Sequence, residues 1–217
     1  MLSVPALFFR PKGKETEADA AREKFFVPES DHLTLLHVYN EWVRHEMSAE
    51  WAAQHYLHSK ALRKVREIRA QLADIMDKLK LPRESAPYET DLIREILASS
   101  LFHHAARAKG VADYVSLLTR VPCALHPSSA LAGLGLAPEF VVYQDLVLTS
   151  KEFMTCATAV EAEWLARAAP TFFALRYPTS HDGNRGAQNI EQEKNTRQLR
   201  RAMELEMEAA MEQKRAS

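Results

Sequence analysis

The sequence predicts an α+β fold with segregated elements: helices first, then a small β-barrel, then a charged and partly helical tail. Three observations carry this. Apolar residues recur at helical spacing through the first half of the chain. Between residues 113 and 164, short runs of β-branched and aromatic residues alternate with turn signals. From Pro178 onward the chain is polar, with Gly183, Gly186 and many charges.

Residues 1–9 are apolar and are expected to be buried. An apolar start without a cap suggests that the natural domain begins upstream; it is short, is interrupted by Pro5 and lacks a basic flank, so a signal peptide is not expected. Residues 14–26 have helix-forming composition, stopped by Pro28. Ser30 or Asp31 is a suitable N-cap for a helix carrying Leu35, Leu36, Tyr39, Trp42 and Val43. Ser48 begins a short helical stretch. Ser59 is expected to cap a long helix over 60–79, whose Ala61, Val65, Ile68, Leu72, Ile75 and Leu79 make one apolar stripe. Residues 82–87 read as a linker. Thr90 is expected to cap a helix with Leu92, Ile93, Ile96, Leu97 and Leu101 on its apolar face, and Gly110 stands where a C′ glycine belongs. The helical block is thus expected from 31 to 109.

The β-type runs are 114–118, 121–125, 140–148 and 153–158, separated by Pro127-Ser128-Ser129 and Gly133-Leu134-Gly135. Four or five short strands within about fifty residues fit a closed or nearly closed barrel, of which the oligonucleotide-binding type is the commonest small form. A short helix over 160–168 closes the barrel. In the tail, Leu199, Met203 and Met207 form a thin stripe that is marginal as an isolated helix; a disordered or partner-dependent segment is expected.

With 28 basic and 29 acidic residues the net charge is −1, so any nucleic-acid contact must come from a local patch. Two cysteines, Cys123 and Cys156, are too few for a disulfide framework and suit a reducing compartment. No apolar run approaches the ~20 residues of a membrane span. The basic helix face with Lys60, Arg63, Lys64, Arg66 and Arg69 suits either phosphate tracking or plain solvation. Ser128, Ser129, Thr149, Ser150 and Lys151 occupy barrel loops and offer the hydroxyls and cation that contact phosphate and sugar, with Tyr143 and Phe153 as base-stacking candidates. Ordinary turns and core aromatics have the same composition. His103, His104, Cys123 and His126 match no zinc spacing. Ser128, His126 and Asp145 lack the nucleophile elbow that a hydrolytic triad needs. No phosphate loop is present: Gly13-Lys14 lacks its earlier glycine. No catalytic residue and no metal ligand is therefore assigned.

Several words of the sequence resemble, in order and spacing, the C-terminal region of DEAH-box pre-mRNA-splicing RNA helicases. They are MLSVP with Arg10-Pro11, SDHLTLLHVY (30–39), KVREIRAQL (64–72), LHPSS (125–129), LVLTSKE (146–152) and EWL (163–165). Within that family, RPKGKE, HYLHSKALRKVREIRAQL, HHAARAKG and VPCALHPSS bring the chain nearest to the second-step spliceosomal helicase. The resemblance covers about residues 1–177. It implies the end of a winged-helix region over 1–29, a helical ratchet-like domain over 30–109, an oligonucleotide-binding fold over 110–177 and a tail over 178–217. It also implies a nuclear protein that grips single-stranded RNA, with ATP and Mg²⁺ bound by upstream RecA-like domains of the parent helicase and no cofactor in this chain. Spliceosomal proteins, including a glycine-patch type of regulator, are the implied partners. Asp31 and His32 match the start of the helix that faces the RNA channel. Thr149, Ser150 and Lys151 match a barrel loop near the RNA backbone. Arg120 stands in a hairpin where glycine is usual, and Phe153 where tyrosine is common.

Overall fold

The computed structural model describes residues 1–4, 6–86, 89–110 and 113–175; the tail expected over 178–217 lies outside them. Helix α1 (Glu15–Glu23) has Glu15 and Glu17 in its first turn and Arg22 in its last, the arrangement the helix dipole favours. Helix α2 (Asp31–Arg44) is capped by Ser30, whose Oγ accepts the Leu33 N–H at 3.1 Å. Ser48 caps α3 (Ala49–Gln54) in the same way. Leu7, Phe25, Val38, Trp42, Ala52, Leu57 and Leu62 pack into one apolar cluster that joins these helices to the start of α4 (Ser59–Lys78).

Two helix starts differ from expectation by one residue. His58, not Ser59, is the N-cap of α4, and Glu89, not Thr90, that of α5 (Thr90–Leu101); neither makes a side-chain cap bond. The apolar stripe of α4 is buried only at Val65, beside the buried Leu62, whereas Leu72, Ile75 and Leu79 face solvent. Helix α5 is turned from the face its leucines suggest. Arg94 and Ala98 are buried, and Leu92 and Ile96 are exposed.

The helical run ends early. After α5 and a 3₁₀ turn at Phe102–His104, residues Ala105–Ala108 form strand β1, where the composition had suggested helix as far as Lys109. Strands β2 (Asp113–Ser116), β3 (Pro122–Leu125), β4 (Phe140–Leu148) and β5 (Glu152–Val160) follow, with α6 (Ala130–Gly133) between β3 and β4 and α7 (Ala162–Ala168) after β5. Among the described residues the strands close into a barrel in the order β1-β2-β3-β5-β4. Strand β1 supplies the closure, pairing Ala106 with Ser116 on one side and with Val141 on the other. The β3–β5 pair is parallel, Leu125 opposite Met154; the others are antiparallel. Ladder hydrogen bonds on both edges outweigh the helical preference of Ala-Ala-Arg-Ala, which ranks high but is worth only about tenths of a kcal/mol per residue.

Alternation sorts the strand residues into two layers, with its phase shifted in β5 at Cys156, whose φ is +51°. Ala106, Tyr114, Cys123, Val141, Tyr143, Met154, Ala157 and Ala159 fill the barrel, joined by Leu131 from α6. Ala105, Val142 and Val160 point the other way and meet Ala98 of α5 and Leu165 of α7. This is why Val141, Val142 and Tyr143 are buried in succession. Gly133 lets α6 approach Phe26, since a Cβ there would lie 2.6 Å from the ring edge. Arg120, between β2 and β3, takes φ +61°, so this hairpin holds the left-handed geometry that favours glycine without having one.

Candidate nucleic-acid interface

The residues singled out in the sequence fall into three places, and no hydrogen bond or ion pair links the three among the described residues. The first is where α2 meets the barrel. Ser30 bridges to Thr158, and its Oγ lies 2.8 Å from Thr158 Oγ1. Asp31 projects from the first turn of α2 into the protein and accepts the Ala130 N–H at 2.7 Å and the Ala157 N–H at 2.8 Å. Burial raises its pKa, opposed by hydrogen bonds from Ser129, Ala130 and Ala157. His32 Nδ1 shares Thr158 Oγ1 at 2.8 Å, and burial pushes its pKa down to about 4. Both side chains thus bind barrel atoms and are turned away from solvent.

Arg94, which the sequence reading passed over, completes this junction from α5. Its Nε donates to the Ala159 carbonyl at 2.8 Å, and Nη1 reaches Glu29 at 2.7 Å and Asp91 at 3.1 Å. The guanidinium also lies over the Trp164 ring, 5.4 Å from its centroid. Glu29 has φ +68° and its carbonyl accepts the Ala159 N–H at 2.7 Å. No local signal marked it: Arg94 and Ala98 share the inner face of the helix, against the face its leucines suggest.

The second place is the start of α4. Lys60 and Arg63 are exposed there, with Arg63 Nε 3.4 Å from the Ser59 carbonyl. Lys64 pairs with Glu67 at 3.6 Å, and Arg66 reaches the Met47 sulfur.

The third is the tip of the β4–β5 hairpin. From Asp145 to Lys151 every residue is exposed, so the hairpin projects beyond the barrel wall. Thr149 and Ser150 form the turn, in which the Thr149 N–H donates to the Lys151 carbonyl. Lys151 Nζ stands 3.5 Å from Asp113 and 5.7 Å from the centroid of Phe153. Phe153 is half-buried and meets His126 edge-on. Leu148, beside the turn, is 74% exposed.

Other candidates are already engaged. Tyr143 is a core residue stacked on His104, with rings 2° from parallel, and its hidden ring cannot receive a base. His126 and Ser128 bond each other at 2.7 Å within the turn before α6, and Ser129 caps that helix. Asp145 is in neither pair and instead accepts the Thr155 hydroxyl at its carbonyl. Among the described residues no three His, Cys, Asp or Glu side chains are grouped to hold a metal ion.

Comparison with known proteins agrees with this geometry. Residues 93–172 match the family described as oligonucleotide/oligosaccharide-binding (OB)-fold. That span takes in α5 from its fourth residue, the barrel and α7, and so includes Arg94 and its Ala159 and Trp164 partners. The chain is also 40% identical over 174 residues to the pre-mRNA-splicing factor ATP-dependent RNA helicase prp22 of Schizosaccharomyces pombe. The alignment covers 80% of this chain and 15% of that protein.

Proposed function

From a chain that resembles the C-terminal region of a DEAH-box splicing helicase, we propose that it is the accessory part of such an enzyme, gripping single-stranded RNA and docking partners. The observation that carries the reading is the projecting hairpin of the OB-type barrel. It offers two hydroxyls, backbone N–H groups and a lysine beside a half-buried aromatic ring, a set suited to sugar, phosphate and an unstacked base. Lys60 and Arg63 add cationic charge from the helical part, which takes the role of the ratchet-like domain. Asp31 and His32 act by fixing α2 on the barrel, holding the helical and barrel surfaces in one relation. In this reading residues 1–29 end a winged-helix region, 30–109 form the ratchet-like domain and 110–177 the barrel domain.

The 217 residues contain no phosphate-binding loop. ATP and Mg²⁺ belong to RecA-like domains of the parent helicase, and this chain holds neither. The parent works in the nucleus on spliceosomal RNA, where other splicing proteins, among them a glycine-patch type of regulator, are partners. The test is fluorescence anisotropy of a labelled single-stranded oligouridylate titrated with the chain at several salt concentrations. Binding that weakens with salt is expected; salt-independent binding, or none at millimolar protein, would overturn the RNA grip.

A second reading, a motorless adaptor that binds proteins, is favoured by one observation: the exposed apolar side of α4.

A further inference from the structure

The apolar stripe of α4 continues past the core it starts from. Ala61, Val65, Ile68, Leu72, Ile75 and Leu79 follow one another at alternating steps of four and three, the rhythm of a coiled-coil seam. Its beginning is used, with Val65 buried and Ala61 packed against the helical core. Its end is not: Leu72 is 57% exposed, Ile75 50% and Leu79 65%. From Leu72 to Leu79 the open seam runs about 10 Å along the helix, with Ile68 half-buried where it begins. Branched aliphatic side chains in line on an exposed helix mark a surface that another helix covers.

The flanks say what kind of helix. Beside the seam stand Lys64, Arg69, Gln71, Met76 and Lys78, and no acidic residue. Arg69 and Lys78 form no ion pair among the described residues. Glu67, Asp74 and Asp77 fall farther round the helix, and Asp77 pairs with Arg83 at 3.2 Å. Two copies of this helix would set cation against cation, as like charges at flanking positions disfavour pairing. RNA would meet the cations, but aliphatic seam residues give its bases no ring to stack on.

We infer that this seam docks an acidic amphipathic helix of a partner protein, its apolar residues on Ile68, Leu72, Ile75 and Leu79 and its carboxylates beside Arg69 and Lys78. This locates the partner-docking half of the proposed function and is independent of the RNA grip. Arg63 falls on the far side of the helix, and Lys60 lies at its other end.

The experiment titrates the full 217-residue chain into two labelled synthetic helices. Both carry leucine at the seam positions; one has glutamate at the flanks, the other lysine. The acidic helix binds and the basic one does not. Leu72→Lys with Ile75→Lys weakens binding by about tenfold or more while circular dichroism stays unchanged, since both side chains are exposed. Arg69→Glu with Lys78→Glu transfers preference to the basic helix. Oligouridylate affinity is measured on the same variants and does not fall with Leu72→Lys and Ile75→Lys. Equal binding of the two helices, binding of neither, or indifference to the seam substitutions overturns the inference. So does loss of RNA binding in the Arg69→Glu, Lys78→Glu variant without helix binding, which would give the face to RNA. Failure of the RNA grip itself is read separately, from Lys151→Glu.

Discussion

Strand β5 has two ends with opposite characters. At Ala157–Val160 it is buried and tied by polar contacts: the Asp31 carboxylate on the Ala157 N–H, Thr158 between Ser30 and His32, and Arg94 on the Ala159 carbonyl, with His32 Nε2 left buried without a partner. At Glu152 and Phe153 it runs into a hairpin whose tip is exposed and whose cation pairs loosely, 3.5 Å from Asp113 and 5.7 Å from the Phe153 centroid. The ladder to β4 runs from Phe140 opposite Val160 to Leu148 opposite Glu152, interrupted at Cys156, whose φ is +51°. What differs is the covering. Helices α2, α5 and α6 remove water from one end, so each unmet polar group there is costly. Nothing described covers the other end, so its polar groups cost little to leave unpaired and are free to bind. Stability is expected at one end of the strand and ligand binding at the other.

The strongest test of that division is Asp31→Ala. It strands two buried N–H groups and is expected to cost about 4 kcal/mol in urea unfolding; a loss below about 1 kcal/mol would remove the distinction between the ends. Next is pH. The buried His32 titrates near 4 when folded and near 6.5 when unfolded. Below 6.5 the unfolded chain binds the extra proton, so stability is complete above that pH and falls as pH drops toward 4. The expected fall is about 3 kcal/mol. Asp31, whose folded pKa is raised, contributes with the opposite sign, losing stability as pH rises through its folded value. His32→Gln should therefore flatten the fall that unfolding midpoints trace on acidification, and an unchanged profile would assign it elsewhere.

At the hairpin the effects move from stability to binding. Lys151→Glu should lower oligouridylate affinity by about fivefold and reduce the salt slope by about one ion. Its unfolding free energy should stay within about 0.5 kcal/mol of the parent. An affinity that does not change would take the RNA contact away from the hairpin. The smallest effect is expected from Leu148→Ser. It removes a large apolar side chain that is already in solvent, so its unfolding free energy should stay within about 0.5 kcal/mol of the parent's in urea unfolding. A larger loss would mean that the tip is packed in solution.

Some of this was readable in order along the chain. Ser30 and Ser48 act as caps because a hydroxyl reaches N–H groups only three residues on. The hairpin was visible as two β-type runs around Thr149-Ser150 for the same reason, its register being local. The junction was not. Asp31 finds its partners 99 and 126 residues away, and Arg94 meets a carbonyl 65 residues on. No spacing rule connects such positions, and an aspartate after a serine cap reads as ordinary helix-start chemistry. Tyr143 misled for a related reason: an aromatic residue in a strand has the same sequence signature whether it faces the core or solvent.

The sequence by itself determined the order of elements, the α+β class, the position of the projecting hairpin and the heptad rhythm of α4, because each depends on residues within a few turns or pleats of one another. The tertiary structure decided that Ala105–Ala108 is a strand, that Arg94 rather than Leu92 or Ile96 faces inward, and that the α4 seam is open beyond Val65. In each case local preference is worth tenths of a kcal/mol per residue. Closing a barrel edge, pairing a buried charge, or the reach of a core that ends at Leu62 and Val65 outweighs it.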